Sequence, residues 1–170
     1  MSEAPPERFP RSAPRWQRIG VPIASVLLGS LVTIVPIIAT GPVLPPFGLM
    51  ILLAWRLLRP ELFPVWAAAP FGLFDDLVSG QPMGSAVLLW TVTFFAIELF
   101  DTRLVWRDFL QDWLIAVGGL AFCLIGGRLI ASPIAAHVDT MLLVQILVSV
   151  MLFPLVARLV AWLDRKRGRA

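Results

Sequence analysis

Apolar stretches long enough to be membrane helices recur along this chain, and its arginines collect in alternate connections between them. Six such stretches, at about 19–40, 45–58, 62–79, 84–100, 110–131 and 141–163, stand against the roughly 17–25 apolar residues a helix needs to cross a bilayer. The second is short and flanked by Pro42, Pro45 and Pro46, so its boundaries are loose. Mean hydropathy is +0.84, and 15% of the 170 residues are charged, against about 25% in an average soluble domain. The expected fold class is therefore an all-α integral membrane protein, a bundle of six transmembrane helices.

The charges orient that bundle. Arg8, Arg11, Arg15 and Arg18 precede the first stretch, Arg56 and Arg59 follow the second, and Arg103 and Arg107 follow the fourth. Arg158, Arg165, Lys166, Arg167 and Arg169 end the sixth. Basic residues concentrate on the cytoplasmic side of a membrane protein, so both termini are expected there, and Arg128 alone falls on the outer face. A sequence pI of about 10.4 is compatible with nucleic-acid binding, but this distribution is one of topology, and no nucleic-acid partner is expected. Trp16, Trp66, Trp106, Trp113 and Trp162 lie near the proposed cytoplasmic boundaries, as an aromatic belt requires.

Three regions are expected: a flexible basic cytoplasmic tail over 1–18, a six-helix transmembrane domain over 19–163, and a basic cytoplasmic tail over 164–170. The apolar part of the first stretch exceeds the 7–15 residues usual in a cleavable signal, so it reads as uncleaved. Connections are short on both sides, which confines any activity to the bundle or its surface.

No catalytic set is evident. The chain has one histidine, His137, one cysteine, Cys123, no Gly-rich phosphate loop and no HExxH pattern, so neither enzyme activity nor a metal or cofactor is expected. His137 and Asp139 read as solvent-facing residues of the last outer connection.

The exception to this plainness is the run from Gly72 to Gly84, GLFDDLVSGQPMG, which puts Asp75 and Asp76 into an apolar stretch. A carboxylate in hydrocarbon costs roughly 2.5–3.5 kcal/mol even on lenient insertion scales, so such a residue is a functional candidate. A helix starting near Glu61 on the cytoplasmic side carries Asp76 about 22 Å across, near the outer interface. Arg128 reaches about 27 Å along the fifth helix by the same rise, so an ion pair between Arg128 and Asp76 or Asp75 is expected. The alternative is that these groups reach the outer headgroups separately. Arg56 and Glu98 sit near the inner ends of their stretches, where interfacial solvation is the expected state and an ion pair between the two is the alternative. Gly80 followed by Pro82 is a helix stop, and Gly84 opens the next stretch, so the third and fourth helices form a tight antiparallel hairpin. Small residues, among them Gly29, Gly72, Gly119 and Cys123, allow close helix packing, and Pro36, Pro70 and Pro154 are expected kinks.

That run resembles the central signature of the bacterial rod shape-determining MreD family. In the family a glycine is followed four residues on by an aspartate, then by Leu-hydrophobic-Ser-Gly, two variable residues, a hydrophobic residue and Gly. Asp76 takes the aspartate position, Gly80 and Gly84 the later glycine positions, and Asp75 occupies what is often an apolar position. The resemblance implies a multi-pass protein of the bacterial inner membrane, with a fold similar to the substrate-binding subunits of vitamin-importing ECF-type transporters. It further implies a non-enzymatic scaffold of the cell-elongation complex that supports rod shape and lateral peptidoglycan synthesis. The implied partners are an MreC-like single-pass protein, an MreB-like filament and the peptidoglycan synthases, with the lipid bilayer as surroundings. Gly72, Asp75, Asp76, Gly80, Pro82, Gly84 and Arg128 are the candidate structural or partner-contacting residues. A different class competes, a small-solute binding or transport subunit using the Asp75/Asp76 cluster, with Thr91, Thr93, Glu98 and Gln145 as further polar lining. A chaperone for another membrane protein is a third reading, close to scaffolding.

Overall fold

The computed structural model describes residues 15–32, 44–101, 109–131 and 140–169, and they are helical almost throughout. Six helices follow one another: α1 Arg15–Leu31, α2 Phe47–Leu58, α3 Ala68–Ser79, α4 Ser85–Asp101, α5 Phe109–Ala131 and α6 Thr140–Arg169. Five of them close a ring in the order α1, α3, α4, α5, α6, and α2 packs inside it against α1, α5 and α6.

The sequence of α2, FGLMILLAWRLL, explains its central place. Apart from Arg56 it is apolar on every side, and a helix of that kind has no face to give to water. Nine of its twelve residues are buried, and Leu49, Met50, Leu52, Leu53 and Trp55 are almost fully enclosed. Glycines let the ring close on it. A Cβ on Gly29 would lie 2.7 Å from Ile51 Cδ1, and one on Gly119 would lie 2.9 Å from Thr93 Cγ2. The small residues expected to mediate close packing thus serve contacts inside the chain.

Two helices, α5 and α6, are long and apolar enough to cross a membrane, while α1 and α2 provide shorter apolar segments. In α5 and α6 only 17% of each apolar window is buried, so most of that surface faces outward, unlike the core helix of a globule. Phe95, Leu99, Leu114, Leu129, Leu147 and Leu155, on α4, α5 and α6, are all more than half exposed.

Helix boundaries depart from the apolar stretches in two places. The stretch at 62–79 begins as a turn, passes through a 3-10 turn at Val65–Ala67, and becomes α3 only at Ala68. Pro70 therefore lies in the first turn of α3, where its missing N–H has no intrahelical acceptor, so it starts the helix and does not kink it. At the other end of the chain, α6 does not stop at 163 but runs as one 30-residue helix through the basic segment to Arg169, with Pro154 inside it. Residues 1–14, Pro36, Trp106, His137 and Asp139, which entered the expectations above, lie outside the described residues.

Candidate functional site

Asp76 stands one helical turn before the end of α3 and points toward the start of α4. Gly80 ends α3 in the left-handed conformation, with φ 67° and ψ 19°, a conformation that favours glycine. The chain then turns through Gln81 and Pro82, whose carbonyl accepts from Ser85 N at 3.0 Å, and Gly84 has φ 93°. These two positive φ values reverse the chain within five residues, close to the expected tight hairpin.

The first turn of α4 has no acidic residue of its own, and a helix N-terminus presents N–H groups without intrahelical acceptors. Asp76 supplies the acceptors from the neighbouring helix. One carboxylate oxygen accepts from Ala86 N at 2.9 Å and Ser85 Oγ at 2.9 Å. The other accepts from Gly84 N at 2.9 Å and, more weakly, from Val87 N at 3.5 Å. An anion is favoured here twice, by charge-assisted hydrogen bonds and by the positive end of the helix dipole. Asp76 is 2% exposed, so water does not compete for these groups.

Gly72 completes the clasp. It lies one turn below Asp76, on the stripe of positions 72, 76 and 80 that faces α4. A Cβ at Gly72 would come within 2.8 Å of the Ala86 carbonyl and of Val87 Cα. The backbones of α3 and α4 therefore approach as closely as a glycine permits, which brings the carboxylate within reach of the α4 N–H groups.

The expected ion pair with Arg128 does not form. Both oxygens of Asp76 are engaged by residues 84–87, and no ion pair joins Asp75 or Asp76 to Arg128 among the described residues. Arg128 is exposed on α5, at the end of the bundle where Gly127 lies beside Gln81 of the hairpin, so the two charges share a level without pairing. Consecutive helical residues point about 100° apart, and Asp75 accordingly turns from α4 toward Ser30 of α1. Ser30 is itself 1% exposed and fits because position 48 on α2 is glycine. The two aspartates thus face different neighbours of α3.

A second polar cluster occupies the opposite end of the bundle. Arg56 of α2 is 3% exposed, hydrogen-bonds Glu98 of α4, lies 3.7 Å from Asp101, and donates to Pro60 O at 2.8 Å. Its guanidinium also lies over the Phe94 ring. The expectation of interfacial solvation is corrected for Arg56, and the alternative of a pair with Glu98 is the one that forms, although Glu98 remains half exposed. Beside it, Asp164 of α6 bonds Arg59 at 3.1 Å and Arg167 at 2.7 Å, and Arg167 covers Trp55. Trp55 in turn donates to Ser25 Oγ of α1 at 2.9 Å. Nothing in the sequence marks Trp55, and only the signs of the charges at the helix ends point to the Asp164 pairs.

The remaining polar residues of the helices have local partners. Thr91 and Thr93 donate to Val87 O and Leu89 O of their own helix, and Gln145 reaches Leu44 O at 2.7 Å. Thr93 also meets Cys123 at 3.2 Å. Above this contact an apolar groove of about 430 Å³ runs between α4 and α5, past Ala96, Phe100, Gly118 and Phe122. Among the described residues, no three His, Cys, Asp or Glu side chains gather as a metal site. Comparison with models of protein families, with curated proteins and with solved structures gives no match.

Proposed function

We propose that the chain is a six-pass scaffold of a bacterial inner membrane, related to MreD, that serves the cell-elongation complex by binding an MreC-like single-pass partner. In this reading both termini are cytoplasmic, the fold is of the kind used by the substrate-binding subunits of ECF-type transporters, and the MreB-like filament and peptidoglycan synthases are its further associates. The observation that carries it is the clasp. Gly72, Asp76, Gly80 and Gly84, the residues on which the resemblance rests, all have interlocking structural tasks in one hairpin. A signature spent wholly on shape fits a protein whose product is a surface. The outward apolar faces of α4, α5 and α6 supply that surface, to lipid and to a partner helix.

The same geometry weakens the transport alternative. A solute-coordinating carboxylate needs free lone pairs, and those of Asp76 are taken by α4. Of its other candidates, Asp75 faces Ser30 of α1, Glu98 pairs with Arg56, and Thr91, Thr93 and Gln145 donate to backbone carbonyls.

The scaffold role is tested in a rod-shaped bacterium depleted of its own MreD. The intact chain is expected to restore rods and to co-purify with the single-pass partner, and a variant that folds without binding that partner is expected to leave cells round. Restoration of rods by the non-binding variant refutes the role.

A further inference from the structure

At the end of the bundle that carries the arginines, α2, α5 and α6 leave a cleft of about 200 Å³ between them. Its walls are apolar, formed by Ala54, Leu57, Trp113, Phe153, Ala157 and Ala161. Its rim is charged. Arg158 lines the cleft and is exposed, with Asp112 the acidic residue beside it, and Arg165, one helical turn beyond Ala161, continues the same face of α6. The indole N–H of Trp113 is enclosed at this place and finds no acceptor among the described residues. An apolar slot bordered by an orphaned donor and an exposed guanidinium offers contacts for an acyl chain, a glycerol ester and a phosphate.

We infer that this cleft binds one anionic phospholipid of the cytoplasmic leaflet, its acyl chain between α2, α5 and α6 and its phosphate on Arg158. This rests on the membrane-embedded reading above. A guanidinium is suited to phosphate because it offers paired donors in a planar fork, and basic recesses between membrane helices on the cytoplasmic side are suited to anionic headgroups. Trp113 gains an ester or phosphate oxygen as acceptor, which removes the penalty of an enclosed, unbonded N–H. The headgroup charge decides against a neutral lipid, and the walled slot decides against attraction to the basic end in general.

The test uses full-length protein purified in neutral detergent, titrated with dioleoyl phosphatidylglycerol or dioleoyl phosphatidylcholine, and read by native mass spectrometry. Phosphatidylglycerol is expected to bind at least fivefold more tightly than phosphatidylcholine. Arg158→Gln is expected to abolish that preference, and Ala161→Phe, which plugs the slot and keeps every charge, is expected to abolish binding. Arg128→Gln, at the far end of the bundle, is expected to change neither. Ala157→Leu decides the point if Ala161→Phe does not retain its helical circular dichroism. Equal binding of the two lipids, wild-type binding by the plugged variant, or an equal loss in Arg128→Gln overturns the site. Failure of the membrane reading is seen separately, as release of the chain from membranes by alkaline carbonate.

Discussion

Replacing Asp76 by alanine removes the acceptors of α4 while leaving its donors in place. Gly84 N and Ala86 N, both bonded at 2.9 Å, lose their partner in a site where Asp76 is 2% exposed, and Ser85 Oγ loses its acceptor as well. A buried donor left unsatisfied costs about 1–3 kcal/mol, and loss of an N-cap side chain costs about 0.5–2 kcal/mol. These terms overlap, and together they give a loss of about 3–5 kcal/mol for Asp76→Ala. Asp76→Asn keeps one acceptor oxygen but sets an NH2 group against an N–H of α4 and removes the charge, so its cost is about 2–3 kcal/mol. Asp75→Asn retains an acceptor and a donor for Ser30 in a partly open position, and its expected cost is below about 1 kcal/mol. Reversible unfolding of the purified protein in mixed micelles measures all three. The order Asp76→Ala, then Asp76→Asn, then Asp75→Asn is required, and equal losses at positions 75 and 76 refute the clasp. Adding Arg128→Asp to Asp76→Arg is expected to rescue nothing.

Gly72 and Gly80 are constrained for different reasons, and alanine separates them. At Gly80 a Cβ meets nothing within 4 Å, so Gly80→Ala bears only the left-handed backbone penalty of about 1–2 kcal/mol. At Gly72 the new Cβ strikes backbone that cannot rotate away, so Gly72→Ala is expected to cost more than Gly80→Ala in the same unfolding assay. Arg56→Ala is expected to lose about 2–3 kcal/mol, discounted from the buried-pair range because Glu98 is half exposed, whereas Glu98→Gln loses less than about 1 kcal/mol because Asp101 remains. Cys123, 7% exposed against Thr93, is expected to resist maleimide in the folded protein and to react fully in SDS, as a gel shift reports.

Much of this was legible in the order of residues. Gly80 before Pro82 marks the end of α3, and Gly84 before an apolar run marks the start of α4, because backbone requirements of this kind are local. The hairpin follows from those signals, and the common level of Asp76 and Arg128 comes from helix rise counted from Glu61, although α3 itself begins only at Ala68. The partner of Asp76 does not, since depth arithmetic places two charges on one plane without saying on which faces of their helices they lie. A signal was present nonetheless: α4 opens without an acidic residue of its own, and a carboxylate stands one turn below the hairpin tip. The burial of Arg56 was hidden for another reason. Nothing near it in sequence announces that Phe94, Glu98 and Asp101, on a helix some forty residues later, enclose it. The late start of α3 shows that apolar length alone misplaces a helix boundary where Pro64 and Pro70 frame the first turn.

The claim on which the rest depends is that the Asp76 carboxylate holds the first N–H groups of α4. Amide hydrogen exchange at Gly84, Ala86 and Val87, compared between the wild type and Asp76→Ala in the same detergent, measures it directly. Slow exchange at these three amides in the wild type, accelerated at least tenfold in the variant while the amides in the middle of α4 stay protected, is the predicted result. Equal exchange at these amides in both proteins contradicts the clasp.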